Sequence, residues 1–184
     1  MACNRCGVTD VLTVHTAELP SRTRDAARAL LKDVFAGTFS DGDWEHALGG
    51  VHALVYEGDE LVGHGSVVQR RLLHGGRALR TGYVEAVGVR ADRRRRGHGA
   101  ALMRALERVI RGAYDLGALA ATDDGASMYA ALGWQRWRGP TSALTPGGIA
   151  RTPNDDGGVH VLPVTVDVDL DGAIVCDWRD GELW

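Results

Sequence analysis

Residues 84–99 read Val84-Glu85-Ala86-Val87-Gly88-Val89, then Arg90-Ala91-Asp92-Arg93-Arg94-Arg95-Arg96, then Gly97-His98-Gly99. The first run has the pattern of an apolar strand, and the amphipathic stretch that begins at Ala100 is helical. Glycines at the start of a helix let backbone N–H groups approach an anion, which the helix terminus also attracts, and arginines add charge for phosphate. Such a charge run is equally typical of a solvated surface, but the flanking strand and helix favour a phosphate site.

Two other kinds of phosphate loop are excluded by the spacing. A Walker loop needs Gly-Lys-Ser or Gly-Lys-Thr, which the sequence lacks. A dinucleotide-binding fingerprint turns directly from the strand into Gly-x-Gly-x-x-Gly. Here seven residues intervene between Val89 and Gly97, and Leu102 occupies the third glycine position.

Hydrophobic periodicity outside this stretch predicts a single-layer mixed α/β sheet with helices. Ser21 is the expected N-cap of a first helix that Gly37 ends, and Gly75-Gly76 turns a long second strand into a third. The predicted helices are residues 21–36, 44–48, 97–114 and 123–132. The predicted strands are residues 51–56, 61–73, a third ending at 89, 116–121, 134–144 and 159–168, with a loop over 145–158 and a polar tail to 184.

The composition is that of a globular chain with an uneven charge distribution. The 184 residues are 45% hydrophobic and 24% charged, with a formal net charge of −3. No apolar run reaches the roughly 20 residues of a membrane helix, and there is no signal-peptide segment, so we expect a cytoplasmic protein without membrane or nucleic-acid partners. Residues 155–184 carry eight carboxylates against one base, Arg179, which predicts a surface that attracts cations.

The three cysteines predict neither a metal site nor a disulfide framework. Cys3 and Cys6 form a C-x-x-C, but Cys176 is distant and no second ligand pair accompanies them. We therefore expect no metal. Residues 1–12 are expected to form a flexible tail before a single domain of residues 13–184.

Two motifs resemble those of the GCN5-related N-acetyltransferase (GNAT) superfamily. Arg94-Arg95-Arg96-Gly97-His98-Gly99 is an Arg-x-x-Gly-x-Gly loop, similar to the loop that holds the pyrophosphate of acetyl-CoA. Further along, Ala126-Ser127-Met128-Tyr129-Ala130-Ala131-Leu132-Gly133-Trp134 resembles a later helix and strand of the superfamily. The resemblance implies a single-domain α/β GNAT fold, with a mixed, mostly antiparallel sheet flanked by helices.

The likeness extends to the aminoglycoside 2'-N-acetyltransferase family over residues 14–184. Segments that carry it include Trp44-Glu45-His46, Gly82-Tyr83-Val84-Glu85, Gly139-Pro140-Thr141-Ser142 and Cys176-Asp177-Trp178-Arg179. It implies an acetyl-CoA-dependent enzyme that acetylates the 2'-amine of aminoglycoside antibiotics by direct transfer in a ternary complex. It also implies antibiotic resistance and a homodimer.

The resemblance assigns roles to individual residues. Tyr129 is the expected general acid for the departing thiolate, and the N–H of Val87 polarises the thioester carbonyl. Glu85 is expected to accept a proton from the amine through a water, or to hold the ammonium of the substrate. The expected acetyl-CoA contacts are Val87, Gly88, Val89, Arg94, Arg95, Arg96, Gly97, His98, Gly99 and Tyr129. The expected acceptor contacts are Asp43, Glu85, Ala86, Asp155, Glu182 and the terminal carboxylate of Trp184.

Three other functions compete with this interpretation. A GNAT enzyme acting on a cell-wall amino sugar, a polyamine or a peptide would share the coenzyme site, so Asp43, Asp155 and the acidic tail discriminate among acceptors. A catalytically silent acyl-CoA-binding regulator would not need Glu85 and Tyr129. A nucleic-acid surface would require basic residues spread over a face, whereas these arginines lie in one loop.

Three positions depart from the family pattern. Thr38 and Ala120 stand where polar or acidic substrate contacts can occur, and Glu182 replaces a shorter aspartate. These departures concern the antibiotic spectrum and affinity rather than the reaction.

Overall fold

The computed structural model describes residues 11–184, which form ten strands and four α-helices. The first half contains β1 (Val11–His15), α1 (Ser21–Val34), α2 (Asp41–His46), β2 (Val51–Glu57), β3 (Glu60–His74) and β4 (Arg77–Val89). The second half contains α3 (His98–Ala113), β5 (Leu116–Ala120), α4 (Asp123–Ala131), β6 (Gln135–Arg136), β7 (Thr141–Thr145), β8 (Gly148–Arg151), β9 (Val159–Pro163) and β10 (Ile174–Cys176). Residues 1–10, with Cys3 and Cys6, lie outside the described part, and β1 begins inside the stretch expected to be a tail.

The ten strands belong to one mixed, mostly antiparallel sheet, which confirms the predicted fold class. The order is β6-β9-β5-β4-β3-β10-β7-β8, with β2 also beside β3 and β1 beside β2. β4 runs parallel to β5, and β10 runs parallel to β7. β2 and β10 both pair with β3, at residues 60–67 and 72–73 respectively. The long strands β3 and β4 therefore form the centre of the sheet.

Helices cover both faces of the sheet because the side chains of a strand alternate between faces. On β3, a Cβ at Gly63 would lie 3.2 Å from Leu102 of α3, whereas the ring of the next residue, His64, lies 5.8 Å from the ring of Trp44 of α2. Leu102, Leu106 and Ile110 recur at helical spacing on one face of α3, and all three side chains are fully buried. The buried residues of α1 pack with Trp44 in a separate cluster.

A β-bulge lies in β4 at the point where the strand carries the expected site. The register against β3 moves from His64 opposite Gly88 to Ser66 opposite Glu85, so one residue of β3 faces two of β4. Ala86 has a φ of +51°, a left-handed conformation that costs a residue with a side chain about 1–2 kcal/mol. The bulge reorients the backbone of β4 next to Val87.

The second half of the chain differs from the sequence prediction in four places, one of which is the strand expected over 159–168, which ends at Pro163. The strand expected over 134–144 is two strands, β6 and β7, with an intervening turn at Gly139, where a Cβ would lie 1.9 Å from the Gly172 carbonyl oxygen. The expected loop contains β8, and the expected polar tail contains β10, inserted between β3 and β7. β6, β7 and β10 pair with segments far along the chain, which local periodicity does not reveal, whereas β8 forms a local hairpin with β7.

The start of α1 differs from the prediction. Pro20, not Ser21, occupies the N-cap of α1, and no side chain caps it. No helix in residues 11–184 is long and apolar enough to cross a membrane.

Candidate active site

A cleft opens where β4 and β5 part. Parallel pairing joins them only over Thr81 to Tyr83 of β4. From Val84 onward, none of the described strands pairs with this edge of β4, so its backbone polar groups are open to an extended partner. The cleft has a volume of about 580 Å³. It is lined by Val34, Phe35, Val87, Gly88, Val89, Arg93, Arg94, Arg95, Gly97, His98, Gly99, Ala100, Thr122, Gly125, Met128 and Tyr129.

The loop before α3 is shaped for an anion. Arg95 has a φ of +59° and Gly97 a φ of +86°, and Gly97 is the N-cap of α3. Left-handed residues at the start of a helix turn successive backbone N–H groups toward one point, which makes an anion-binding concavity. A Cβ at Gly99 would lie 3.0 Å from the Met128 sulfur, so the first turn of α3 approaches α4 closely.

The arginine run divides into paired and unpaired side chains. Arg90 forms ion pairs with Glu60 and Asp92. The Arg93 Nε lies 2.8 Å from a Glu57 oxygen. The Glu57 Oε1 lies 2.9 Å from the His98 Nε2 and 3.5 Å from the Arg96 Nη1. Arg96 does not line the cleft. Among the described residues, Arg94 and Arg95 form no ion pair, and both line the cleft.

Tyr129 closes the cleft on the side of α4. Its ring centroid lies 6.3 Å from those of Trp134 and His160, and the residue is 8% exposed. Burial raises the pKa of Tyr129 to about 12, so the hydroxyl keeps its proton at neutral pH. A Cβ at Gly125 would lie 2.9 Å from the Tyr129 ring, so only glycine leaves room for the ring there.

Glu85 lies on β4 beside the cleft without lining it. Its side chain is 14% exposed, and its Oε1 accepts a hydrogen bond from the Nη1 of Arg179. Burial raises the pKa of Glu85, and the Arg179 guanidinium opposes that shift. A carboxylate whose pKa is raised above its ordinary value is better suited to take a proton from an amine.

Two of the other expected acceptor residues lie in short helical turns. Asp43 is in α2, where its carboxylate accepts the Ser40 N–H at 2.7 Å and caps the helix. Asp155 ends a 3₁₀ turn and is half-buried. Burial raises the pKa of Asp155, as does the negative charge of Glu182, while a hydrogen bond with Thr152 opposes the shift.

The C-terminal strap, defined as residues 177–184, brings these turns together. The indole Nε1 of the buried Trp184 donates to the Thr152 hydroxyl at 2.9 Å, next to Asp155. In the middle of the strap, the carbonyl of Asp180 lies 2.7 Å from the His46 Nε2 of α2. These contacts join the strap to α2 and to the 3₁₀ turn, and the charge of Asp43 acts on Glu85 while that of Glu182 acts on Asp155.

A histidine chain, defined as Thr16, His52 and His64, lies under the bulge at Ala86. The Ala86 carbonyl lies 2.9 Å from the His64 Nδ1, the His64 Nε2 lies 2.9 Å from the His52 Nδ1, and the His52 Nε2 lies 2.7 Å from the Thr16 hydroxyl. A carbonyl only accepts, so His64 donates from Nδ1 and its Nε2 accepts from His52. Burial lowers the pKa of each histidine to about 4, which keeps both rings neutral.

The histidine chain and the Arg179 contacts were not predicted from the sequence. Their partners are far apart along the chain: Glu85 and Arg179 are separated by 94 residues. One signal for Arg179 was available, since it is the single base among the eight carboxylates of residues 155–184. The histidines have no comparable local pattern.

Comparisons with known proteins agree with this geometry. The acetyltransferase (GNAT) domain family matches residues 16–137. An aminoglycoside 2'-N-acetyltransferase of Mycolicibacterium fortuitum is 53% identical over 175 residues, which cover 93% of this chain and 90% of that protein.

Solved structures show the same fold at low identity. The GNAT-family N-acetyltransferase YhbS of Escherichia coli, in complex with CoA, has a TM-score of 0.62 at 16% identity, covering 94% of this chain and 92% of its own. A GNAT-family acetyltransferase of Brucella melitensis, in complex with acetyl-CoA, has a TM-score of 0.60 at 15% identity, covering 91% and 96%. The domain match and the 53% identity show that this chain belongs to the GNAT acetyltransferases and, within them, to the aminoglycoside 2'-N-acetyltransferase family.

Proposed function

We propose that the chain transfers the acetyl group of acetyl-CoA to the 2'-amine of a cationic aminoglycoside, directly within a ternary complex, and that it thereby confers aminoglycoside resistance. One observation carries the proposal: the open edge of β4 adjoins the buried carboxylate of Glu85, on which the charge of Asp43 acts from α2 and to which Arg179 joins the strap. The 53% identity to an aminoglycoside 2'-N-acetyltransferase supports this choice of acceptor.

The residues of the cleft fit acetyl-CoA. The open edge of β4 at residues 87–89 offers backbone groups to the amides of a pantetheine arm. The N–H groups at the start of α3, with Arg94 and Arg95, suit a diphosphate. When bound, acetyl-CoA supplies the acetyl group as a thioester.

Glu85 prepares the acceptor. An aliphatic amine is largely protonated near neutral pH and has to lose a proton before it can attack a carbonyl carbon. Glu85 takes that proton, directly or through a water. Asp43, Asp155, Glu182 and the terminal carboxylate of Trp184 surround the acceptor with negative charge, which attracts the other ammonium groups of a polycation.

Two donors act on the thioester side. The N–H of Val87, next to the bulge, stabilises negative charge as it develops on the carbonyl oxygen. The Tyr129 hydroxyl, protonated because its pKa is about 12, donates a proton to the departing thiolate. No metal enters this scheme, and no cluster of metal ligands occurs in the described residues.

The test measures thiol release from acetyl-CoA with purified protein and different acceptors. Gentamicin, tobramycin and kanamycin B carry a 2'-amine, whereas kanamycin A carries a 2'-hydroxyl. We expect turnover with the first three and little with kanamycin A. Turnover with kanamycin A as well would move acetylation to another amine. No turnover with any of them would favour the alternative acceptor classes: cell-wall amino sugars, polyamines and peptides.

Two variants test the assigned roles. Glu85→Gln and Tyr129→Phe should each lower kcat by about a hundredfold or more, the usual contribution of a general acid or base. Tyr114→Phe is a matched control, because that tyrosine caps the end of α3 outside the cleft lining. It should leave kcat unchanged.

A homodimer and a cytoplasmic location are part of the proposal. The β7–β8 hairpin exposes Leu144 and Ile149, which are 41% and 64% exposed, and β8 lies at the end of the strand order. An exposed edge with apolar side chains is a typical contact between subunits. Light scattering should give twice the chain mass for the wild type and the single chain mass for Ile149→Lys.

A further inference from the structure

Arg179 joins the C-terminal strap to the strand that carries the expected proton acceptor. Its Nη1 donates to Glu85, its Nε donates to the Glu182 carbonyl at 2.6 Å, and its Nη2 donates to a main-chain oxygen of Trp184 at 3.2 Å. The side chains of Arg179 and Glu85 are each 14% exposed. One guanidinium is thus bonded to Glu85 and to two strap residues of the proposed acceptor site.

A second arginine holds the strap independently of Glu85. Arg70 of β3 donates to the Asp177 carboxylate at 2.7 Å and to the Leu183 carbonyl at 2.7 Å. Both guanidiniums lie over the ring of Tyr83, with Arg70 Cζ at 4.7 Å and Arg179 Cζ at 5.6 Å from its centroid. Arg70 thus holds both ends of the strap against β3. The strap therefore does not depend on the bond between Arg179 and Glu85 to stay attached to the sheet.

We propose that Arg179 is a positioning residue of the transfer reaction: its guanidinium keeps the buried Glu85 ionised and sets the position of Glu182 and Trp184 at the acceptor. The proposal rests on the proposed role of Glu85 as the proton acceptor. A carboxylate removed from water is costly unless an opposite charge accompanies it. Arg179 supplies that charge, and its planar fork reaches main-chain oxygens of Glu182 and Trp184 at the same time.

The direction of the effect follows from the charged groups that face Glu85. Arg179 from the strap and Arg70 from β3 favour the carboxylate, whereas Asp43 from α2 disfavours it. Tyr83, on the same strand, is neutral because burial raises the pKa of its hydroxyl. Burial also raises the pKa of Glu85. Without Arg179, Glu85 would hold its proton to higher pH, and the acidic limb of the rate profile would move upward.

The test compares kcat/KM for one aminoglycoside in wild type, Arg179→Gln and Arg179→Lys. The pH runs from about 6 to about 9, a range in which the acceptor amine also titrates. A single acceptor is used throughout, so the titration of its own amine cancels. In Arg179→Gln, the ratio of kcat/KM at the upper pH to that at the lower pH should increase at least about tenfold. An unchanged ratio in this variant overturns the proposal.

Arg179→Lys separates the two parts of the role. Lysine keeps the positive charge beside Glu85 but has one nitrogen in place of the fork. It should retain the wild-type pH ratio and raise the acceptor KM about three- to tenfold, because the bonds to the main-chain oxygens of Glu182 and Trp184 are lost. The KM for acetyl-CoA should not change.

Arg138→Gln is the matched control. Arg138 also binds a carboxylate through two nitrogens, at 2.7 and 2.6 Å from Asp171, but both side chains are exposed. The substitution removes the same charge without touching Glu85, so the pH ratio and both KM values should equal those of wild type.

Glu85→Gln distinguishes failure of this proposal from failure of the proposed function. If Glu85→Gln keeps full activity, Glu85 is not the proton acceptor and both fail. If Glu85→Gln is slow while Arg179→Gln keeps the wild-type pH ratio, only the role of Arg179 fails. In the double variant, the pH effect of Arg179→Gln should disappear. Should Arg179→Gln not fold, Arg179→Lys decides: a raised acceptor KM supports the proposal, and an unchanged one overturns it.

Discussion

Replacing His64 by leucine tests whether the histidine chain holds the bulge of β4. His64 is fully buried, and its two ring nitrogens contact the Ala86 carbonyl and the His52 ring, each at 2.9 Å. Leucine is apolar and of similar size, so the substitution removes both hydrogen bonds without leaving a large cavity. The bulge at Ala86 then loses the donor that fixes its carbonyl next to the Val87 N–H.

The expected magnitude follows from the groups left without partners. A buried polar group that loses its only partner costs about 1–3 kcal/mol, and His64→Leu leaves two such groups, so the free energy of unfolding should fall by about 2–6 kcal/mol. Ala86 is also in a left-handed conformation, with a φ of +51°, and relaxes once its carbonyl is released. A displaced N–H at Val87 should lower kcat about ten- to a hundredfold, as expected for a catalytic donor moved by a fraction of an ångström or more.

Asparagine and glutamine separate the two contacts of His64. The amide of asparagine reaches the place of Nδ1 and can donate to the Ala86 carbonyl, whereas the amide of glutamine reaches the place of Nε2 and contacts His52. Both variants should lose similar stability in urea unfolding, but kcat for thiol release should stay within about threefold of wild type only in His64→Asn. Equal kcat values for the asparagine and glutamine variants would refute the reasoning, as would an unchanged kcat in His64→Leu.

Three further results are expected. The two histidines of the histidine chain have pKa values of about 4, below the ordinary 6.5. Between these two pH values the unfolded chain therefore binds more protons than the folded chain. The free energy of unfolding in urea should fall as the pH is lowered from 6.5 toward 4, by about 1.4 kcal/mol per histidine per pH unit. A flat profile would contradict the buried, neutral rings. Glu107→Ala should lower the free energy of unfolding by about 1–3 kcal/mol, because Glu107 accepts the buried Trp134 N–H at 2.9 Å. Glu107→Gln, which keeps an acceptor, should unfold close to wild type. Arg95→Ala should raise the KM for acetyl-CoA about three- to tenfold without changing the acceptor KM, whereas Arg96→Ala, outside the cleft, should change neither.

Local patterns were sufficient to predict the strand, loop and helix of residues 84–113. A strand is recognised from its apolar run, a helix from residues three and four apart, and an anion loop from glycines at the helix start. Each of these patterns depends on residues only a few positions apart, so the tertiary structure changes only where the strand and the helix begin and end. The prediction of one strand over 134–144 was wrong because the turn at Gly139 depends on its contact with Gly172. These two residues are too far apart in the sequence for a local pattern to reveal the contact.

The sequence by itself determined the fold class, the arginine- and glycine-rich loop before α3 and an excess of negative charge at the C-terminal end. Only the tertiary structure decided which charges neutralise one another and which remain free. Arg90 and Arg93 pair with Asp92 of their own loop and also with Glu60 of β3 and Glu57 of β2, while Arg94 and Arg95 line the cleft. Arg179, one base in an acidic tail, is bonded to a carboxylate 94 residues away. The physical reason is that pairing and burial depend on sheet register and strand order, and these bring together residues that share no local pattern.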